Sequence, residues 1–142
     1  MRKNIDLQNI LPHREPMLMT DEVLEINHDS ATTKFLVKPD NIFCENGKFN
    51  EAGLIENCAQ TCSTITGQNH FIDDENPDVI GFISNIKKVK IHALPSCGAE
   101  IICKARLLSE FENICHIACE SFAGEQLLLE AEMVMFLQKI SG

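Results

Sequence analysis

Between Asn50 and Gly67 the chain carries one helical period, whereas the segments around it alternate like strands. That contrast constrains the fold most, because one apolar helix among many strands needs a sheet to cover it. Asn50 has the side chain of an N-cap, and Glu51 suits the positive end of a helix dipole. From there Leu54, Ile55, Cys58, Ala59, Cys62 and Ile65 fall on one side at helical spacing. Gly67 is a natural stop. At about 100° per residue, Glu56, Gln60 and Ser63 lie just outside the edge of this apolar arc. A carboxylate at such an edge is either a solvated boundary residue or half of an acid–base pair.

The flanking pattern is strand-like. Met17 to Ile26 and Thr33 to Lys38 read as two strands around the turn Asn27-His28-Asp29-Ser30, with Thr33, Phe35 and Val37 alternating with Lys34, Leu36 and Lys38. Asn69 to Asp78 reads as an acidic loop. Val79 to His92 reads as a long strand, ended by Pro95 and Gly98. Ile101, Cys103, Ala105 and Leu107 share one face of the next strand. Ile114–Phe122 and Leu127–Leu137 follow, separated by the turns Glu110 to Asn113 and Ala123-Gly124-Glu125. The plan is α+β: two strands, one main helix, then an antiparallel meander.

The chain has 142 residues, 44% hydrophobic and 23% charged, which fits a single folded domain spanning 1–142. A formal net charge of -9 argues against a nucleic-acid backbone or an anionic membrane surface as partner. No cationic leader with an apolar core and no apolar run of about 18 residues is present, so we expect a cytoplasmic protein. The seven cysteines are an odd number without framework spacing. Cys58/Cys62 and Cys115/Cys119 each share a face at four-residue spacing. A zinc site is one way to use them, but small buried thiols account for both pairs, and we expect no metal and no cofactor.

Two segments then carry a resemblance. Ile10 to Ile26, "ILPHREPMLMTDEVLEI", resembles the opening signature of the FabZ-type β-hydroxyacyl-ACP dehydratases through Leu11, Pro12, His13, Arg14, Pro16, Asp21 and Val23. The run Glu56-Asn57-Cys58-Ala59-Gln60 is similar to the E-x-x-A-Q of that family's central helix. Gly81 to Ile101 is similar to its strand, Pro-containing corner and following Gly, so the resemblance spans nearly the whole chain.

The resemblance implies a hotdog fold, in which one long central helix is wrapped by a curved antiparallel sheet. It also implies a dimer with an active site at the subunit interface, acting on a 3-hydroxyacyl thioester carried by acyl carrier protein or coenzyme A. In such a site a histidine removes the α proton, and a helix glutamate from the facing subunit helps the hydroxyl leave as water. Glu56 matches that glutamate, and Gln60 an amide beside it. The family's histidine, in a G-H-F-P segment before the helix, has no counterpart: the region reads Asn41-Ile42-Phe43-Cys44-Glu45-Asn46-Gly47. This pattern resembles the divergent dehydratase-like proteins of aryl polyene biosynthesis. It implies either a homodimer or a heterodimer with a more orthodox dehydratase.

Within that frame His13 is the histidine left to act as base, unless its role is to satisfy local backbone groups. Arg14 is expected in a structural hydrogen bond or ion pair. The amides of Gly53 and Leu54 are candidates to polarise a thioester carbonyl. Asn85, which stands where the family has a strand glycine, joins them as a substrate contact. Lys87, Lys88 and Lys90 form a basic strip that is either a solvated strand face or a dock for an acidic carrier protein. His28, His70, His92 and His116 are expected to be structural or solvated, and Cys44 lacks an adjacent histidine to make it a nucleophile. Three readings follow: a dehydratase-like subunit, a catalytically silent hotdog partner, and a thioesterase that uses Glu56.

Overall fold

The computed structural model describes residues 11, 13–67 and 79–139. The expected acidic loop at 69–78, with His70, lies outside the described residues. The chain runs β1 (Glu22–Asn27), β2 (Ser30–Leu36), β3 (Cys44–Glu45), β4 (Lys48–Phe49), α1 (Glu51–Gly67), β5 (Val79–Ile91), β6 (Glu100–Phe111), β7 (Ile114–Ala123) and β8 (Gln126–Lys139). Among the described residues, six of these strands form one antiparallel sheet in the order β1-β2-β6-β7-β8-β5. The sheet curves around α1, which packs against β2, β5, β6, β7 and β8. This is the hotdog arrangement.

Period-two patterning fixes which face meets the helix. Thr33, Phe35, Ile101, Cys103, Ala105, Cys115, Ile117, Cys119, Leu129, Ala131, Met133 and Met135 are all buried. Bulges at Leu107/Ser109 and Ser121/Phe122 shift the alternation, so Leu107 and Leu127 are only partly buried.

Three features depart from expectation. The first strand starts at Glu22 rather than Met17, because residues 17–19 give their backbone groups to α1 side chains instead of to a neighbouring strand. A two-residue hairpin pairs Cys44 with Phe49 around Asn46-Gly47, both at positive φ (52° and 80°), a turn signal legible in the Asn-Gly dipeptide. Finally, α1 has no polar edge at Gln60: Asn57, Gln60, Thr61 and Thr64 are fully buried together with the apolar stripe.

The cysteines divide differently from the sequence reading. Cys44 and Cys97 form a disulfide across a sequence separation of 53, tying the β3–β4 hairpin to the corner after β5. The other five are free thiols. Cys103 lies 3.4 Å from Cys58, Sγ to Sγ, and the Cys58 thiol is pushed well up by its hydrogen bonds with Cys103 and Cys119 and by burial. Cys62 is pushed up in the same way by Cys119 and by burial. Such thiols behave as small core residues rather than nucleophiles. Among the described residues no group of three or more His, Cys, Asp or Glu could hold a metal ion, and no helix is long and apolar enough to cross a membrane.

Candidate active site

The site is built at the first half of α1, where three chain segments meet. Asn50 caps the helix as its side chain implies: Oδ1 accepts the Gly53 N–H at 2.9 Å, and its carbonyl accepts the Leu54 N–H at 3.1 Å. The two amides singled out for thioester binding are therefore already donated within the chain. Gly53 is required by packing. A Cβ there would come within 2.5 Å of the Phe49 ring and 2.9 Å of Phe43 Cβ. Phe49 is fully buried and stacks at a tilt on Phe35, so its ring cannot readily yield.

The loop before α1, where the resemblance puts a histidine, is held by Asn41. Its Oδ1 accepts the Phe43 N–H at 2.9 Å, and its Nδ2 approaches Met19 Sδ at 3.4 Å. No imidazole comes from this loop, and Cys44 beside it is consumed by the disulfide. The thiol considered as a nucleophile is therefore not available as one.

One and two turns into the helix, Glu56, Asn57 and Gln60 receive the segment before β1. Gln60 acts as a surrogate strand: its Oε1 accepts the Met19 N–H at 2.6 Å, and its Nε2 donates to the Met17 carbonyl at 2.7 Å. Asn57 Nδ2 donates to the Met19 carbonyl at 2.7 Å. The remaining reach of Gln60 Nε2 goes to Glu56 Oε1, 3.0 Å away, which aims the carboxylate. Gln60 is thus a buried clamp as well as an orienting amide.

This clamp brings the sequence-distant His13 to Glu56, with Nε2 3.8 Å from Oε1 and both side chains about 30% exposed. Burial lowers the pKa of the imidazole below its ordinary value. Glu56 opposes that shift and Arg14 adds to it. His13 Nδ1 is buried without a hydrogen-bond partner among the described residues. Arg14 holds the turn by donating from Nη1 to the carbonyls of Leu11 and His13, each at 2.8 Å. His13 and Glu56 were named separately from sequence. The pairing needed the fold.

Other named residues lie elsewhere. Asn85 is exposed on β5, opposite Val134. Lys87, Lys88 and Lys90 are exposed at a bulge of the same strand, and Lys88 Nζ lies 3.3 Å from Glu132. His92 and His116 pair with Glu130 and Glu132 at 2.8 and 2.6 Å on the outer face of the sheet. His28 occupies the β1–β2 turn. A cavity of about 180 Å³ opens near the site loop, lined by Pro16, Leu18, Asp21, Phe35, Lys38 and Asn41 among others; Glu56 does not line it.

The chain is similar to known proteins over most of its length. The ApeP-like family, described as ApeP dehydratase, matches residues 5–140. The 3-hydroxyacyl-[acyl-carrier-protein] dehydratase FabZ of Chlamydia muridarum is 26% identical over 144 residues, covering 94% of this chain and 91% of that protein. The FabZ of Clostridioides difficile is likewise 26% identical, covering 94% and 96%. Among solved structures, the dehydratase heterocomplex ApeI:P from Xenorhabdus doucetiae superposes with a TM-score of 0.86 at 17% identity, covering 96% of this chain and 93% of that one.

Proposed function

Because the chain belongs to the ApeP-like dehydratase family, we propose that it is one subunit of a two-chain dehydratase, supplying Glu56 to a site whose base comes from a second, histidine-bearing hotdog subunit. The observation that carries this reading is the mismatch at the start of α1. The carboxylate and its orienting amide are kept, while the loop before the helix offers Asn41, Ile42 and Phe43 in place of an imidazole. The superposition on the dehydratase heterocomplex ApeI:P supports it. So does β5, a long edge strand whose outer backbone groups no strand of this chain pairs among the described residues.

In this reading the substrate is a 3-hydroxyacyl chain on an acyl carrier protein in the cytoplasm, by analogy with the substrate named for the relatives. The partner's base takes the α proton, the α–β double bond forms, and the C–O bond breaks while Glu56, in its acid form, gives a proton to the departing hydroxyl, which leaves as water; the proton held by the base returns to Glu56 through solvent. Gln60 holds the carboxylate at 3.0 Å for this step. Lys87, Lys88 and Lys90 form an exposed basic strip available to an acidic carrier, Lys88 also meeting Glu132. Any call on the Gly53 and Leu54 amides would need the Asn50 cap to open.

The test is reconstitution. Enoyl formation from a 3-hydroxyacyl thioester is expected from the mixture with a histidine-bearing hotdog dehydratase and not from this chain alone. Glu56→Gln should cut the rate of the mixture by on the order of 10². Full turnover by the isolated chain that His13→Gln abolishes would instead make the site self-sufficient. Release of free thiol without enoyl product would make it a thioesterase.

A further inference from the structure

The face of the sheet turned away from α1 is neither uniformly polar nor randomly charged. Its side chains form rows set by the strand register. At one end Phe111, Ile114, Phe136 and Phe82 are successive cross-strand partners on β6, β7, β8 and β5, with exposures of 73%, 44%, 39% and 46%. An exposed apolar band across four strands is what a monomeric surface avoids. Further along β7, Arg106, Ala118 and Glu132 form a second row, and Lys104, Glu120 and Glu130 a third. In both, the cation sits on β6 and a carboxylate on β8, where Glu132 also meets Lys88 and His116 and Glu130 meets His92. These rows line a groove of about 800 Å³.

We propose that this outer face is a self-docking surface, occupied by the outer face of a second copy of this chain about a two-fold axis running along β7. An axis in that direction lays β6 of one copy over β8 of the other and leaves each row at its own level. Arg106 then faces Glu132 of the second copy and Lys104 faces Glu130, in both directions at once, while the phenylalanine band meets itself. A two-fold axis across the strands would set β6 on β6 and β8 on β8, opposing cations with cations and carboxylates with carboxylates, whereas the axis along β7 opposes only Glu120 to its own copy, so the charge pattern favours the latter packing. With strands about 4.8 Å apart and about 3.4 Å per residue, the rows on four strands cover roughly 500 Å² per copy. That places the pair at the lower bound of specific interfaces. The inference does not depend on the enzymatic reading or on what pairs along the β5 edge.

The measurement is the mass of the purified chain by sedimentation, with circular dichroism to confirm folding. Phe111→Asp combined with Phe136→Asp is expected to halve the mass, and Arg106→Glu to weaken association at least tenfold. Ala118→Cys, on the axis, should cross-link to its own copy under mild oxidation, whereas the off-axis control Thr32→Cys should not. Folded variants with unchanged mass, or cross-linking at Thr32 and not at Ala118, would overturn the proposal. So would a double phenylalanine variant of unchanged mass that loses a different protein, since the occupant would then be another chain.

Discussion

His13 Nε2 and Glu56 Oε1 lie 3.8 Å apart although 43 positions separate them, because Gln60 holds the intervening strand-like segment against the helix. The contact is too long for a hydrogen bond and close enough for each charge to feel the other. It brings the helix carboxylate that we propose as half of a dehydratase site to a histidine from a different motif.

His13 should titrate below 6.5, and its response to neighbours follows from the causes of the shift. Burial is the largest and lowers the pKa, Glu56 raises it, and Arg14 lowers it. Glu56→Gln should therefore move the midpoint further down, and Arg14→Gln should move it up, both read from imidazole chemical shifts. The folded chain binds this proton more weakly than the unfolded chain does. Stability should thus fall as pH drops through the window between the folded midpoint and about 6.5. A midpoint above 6.5 would contradict the burial of this ring.

Gln60→Ala removes the partner of two backbone groups, the Met19 N–H and the Met17 carbonyl. A loss of about 2–4 kcal/mol is expected in urea denaturation. Asn57→Ala acts on the same segment through the Met19 carbonyl, so the double variant should lose less than the sum of the singles. Simple additivity would mean that the two amides hold independent structures.

Gly53→Ala places a methyl within 2.5 Å of the Phe49 ring. The expected cost is about 1–3 kcal/mol. Phe49→Leu in the same chain should recover part of it by vacating the ring edge. The alanine variant melting at the wild-type temperature would show that the ring can move aside.

Thiol counting tests the covalent pairing. Without reductant, the denatured protein should react at five cysteines, and after reduction at seven. Cys97→Ser should destabilise by about 2–4 kcal/mol under oxidising conditions. It should have little effect when the wild type is compared reduced.

Much of the architecture is written locally. A 3.6-residue period ending at Gly67 and two-residue periods in Ile101–Ala105 and Leu129–Met135 each specify an element and its buried face without reference to distant residues. The opening motif and the Glu56–Gln60 pair likewise pointed to the family from short stretches. What the sequence could not decide were relations between segments. Gln60 looked like an edge residue because periodicity knows only its own helix, and its burial comes from a segment some forty residues earlier. Cys44 and Cys97 meet only because the hairpin folds onto the corner after β5. The outer rows exist only once strand register aligns β5 to β8, and the approach of His13 to Glu56 depends on the same tertiary packing. Local patterning sets elements and their faces; proximity is decided by how curvature and register close them on one another.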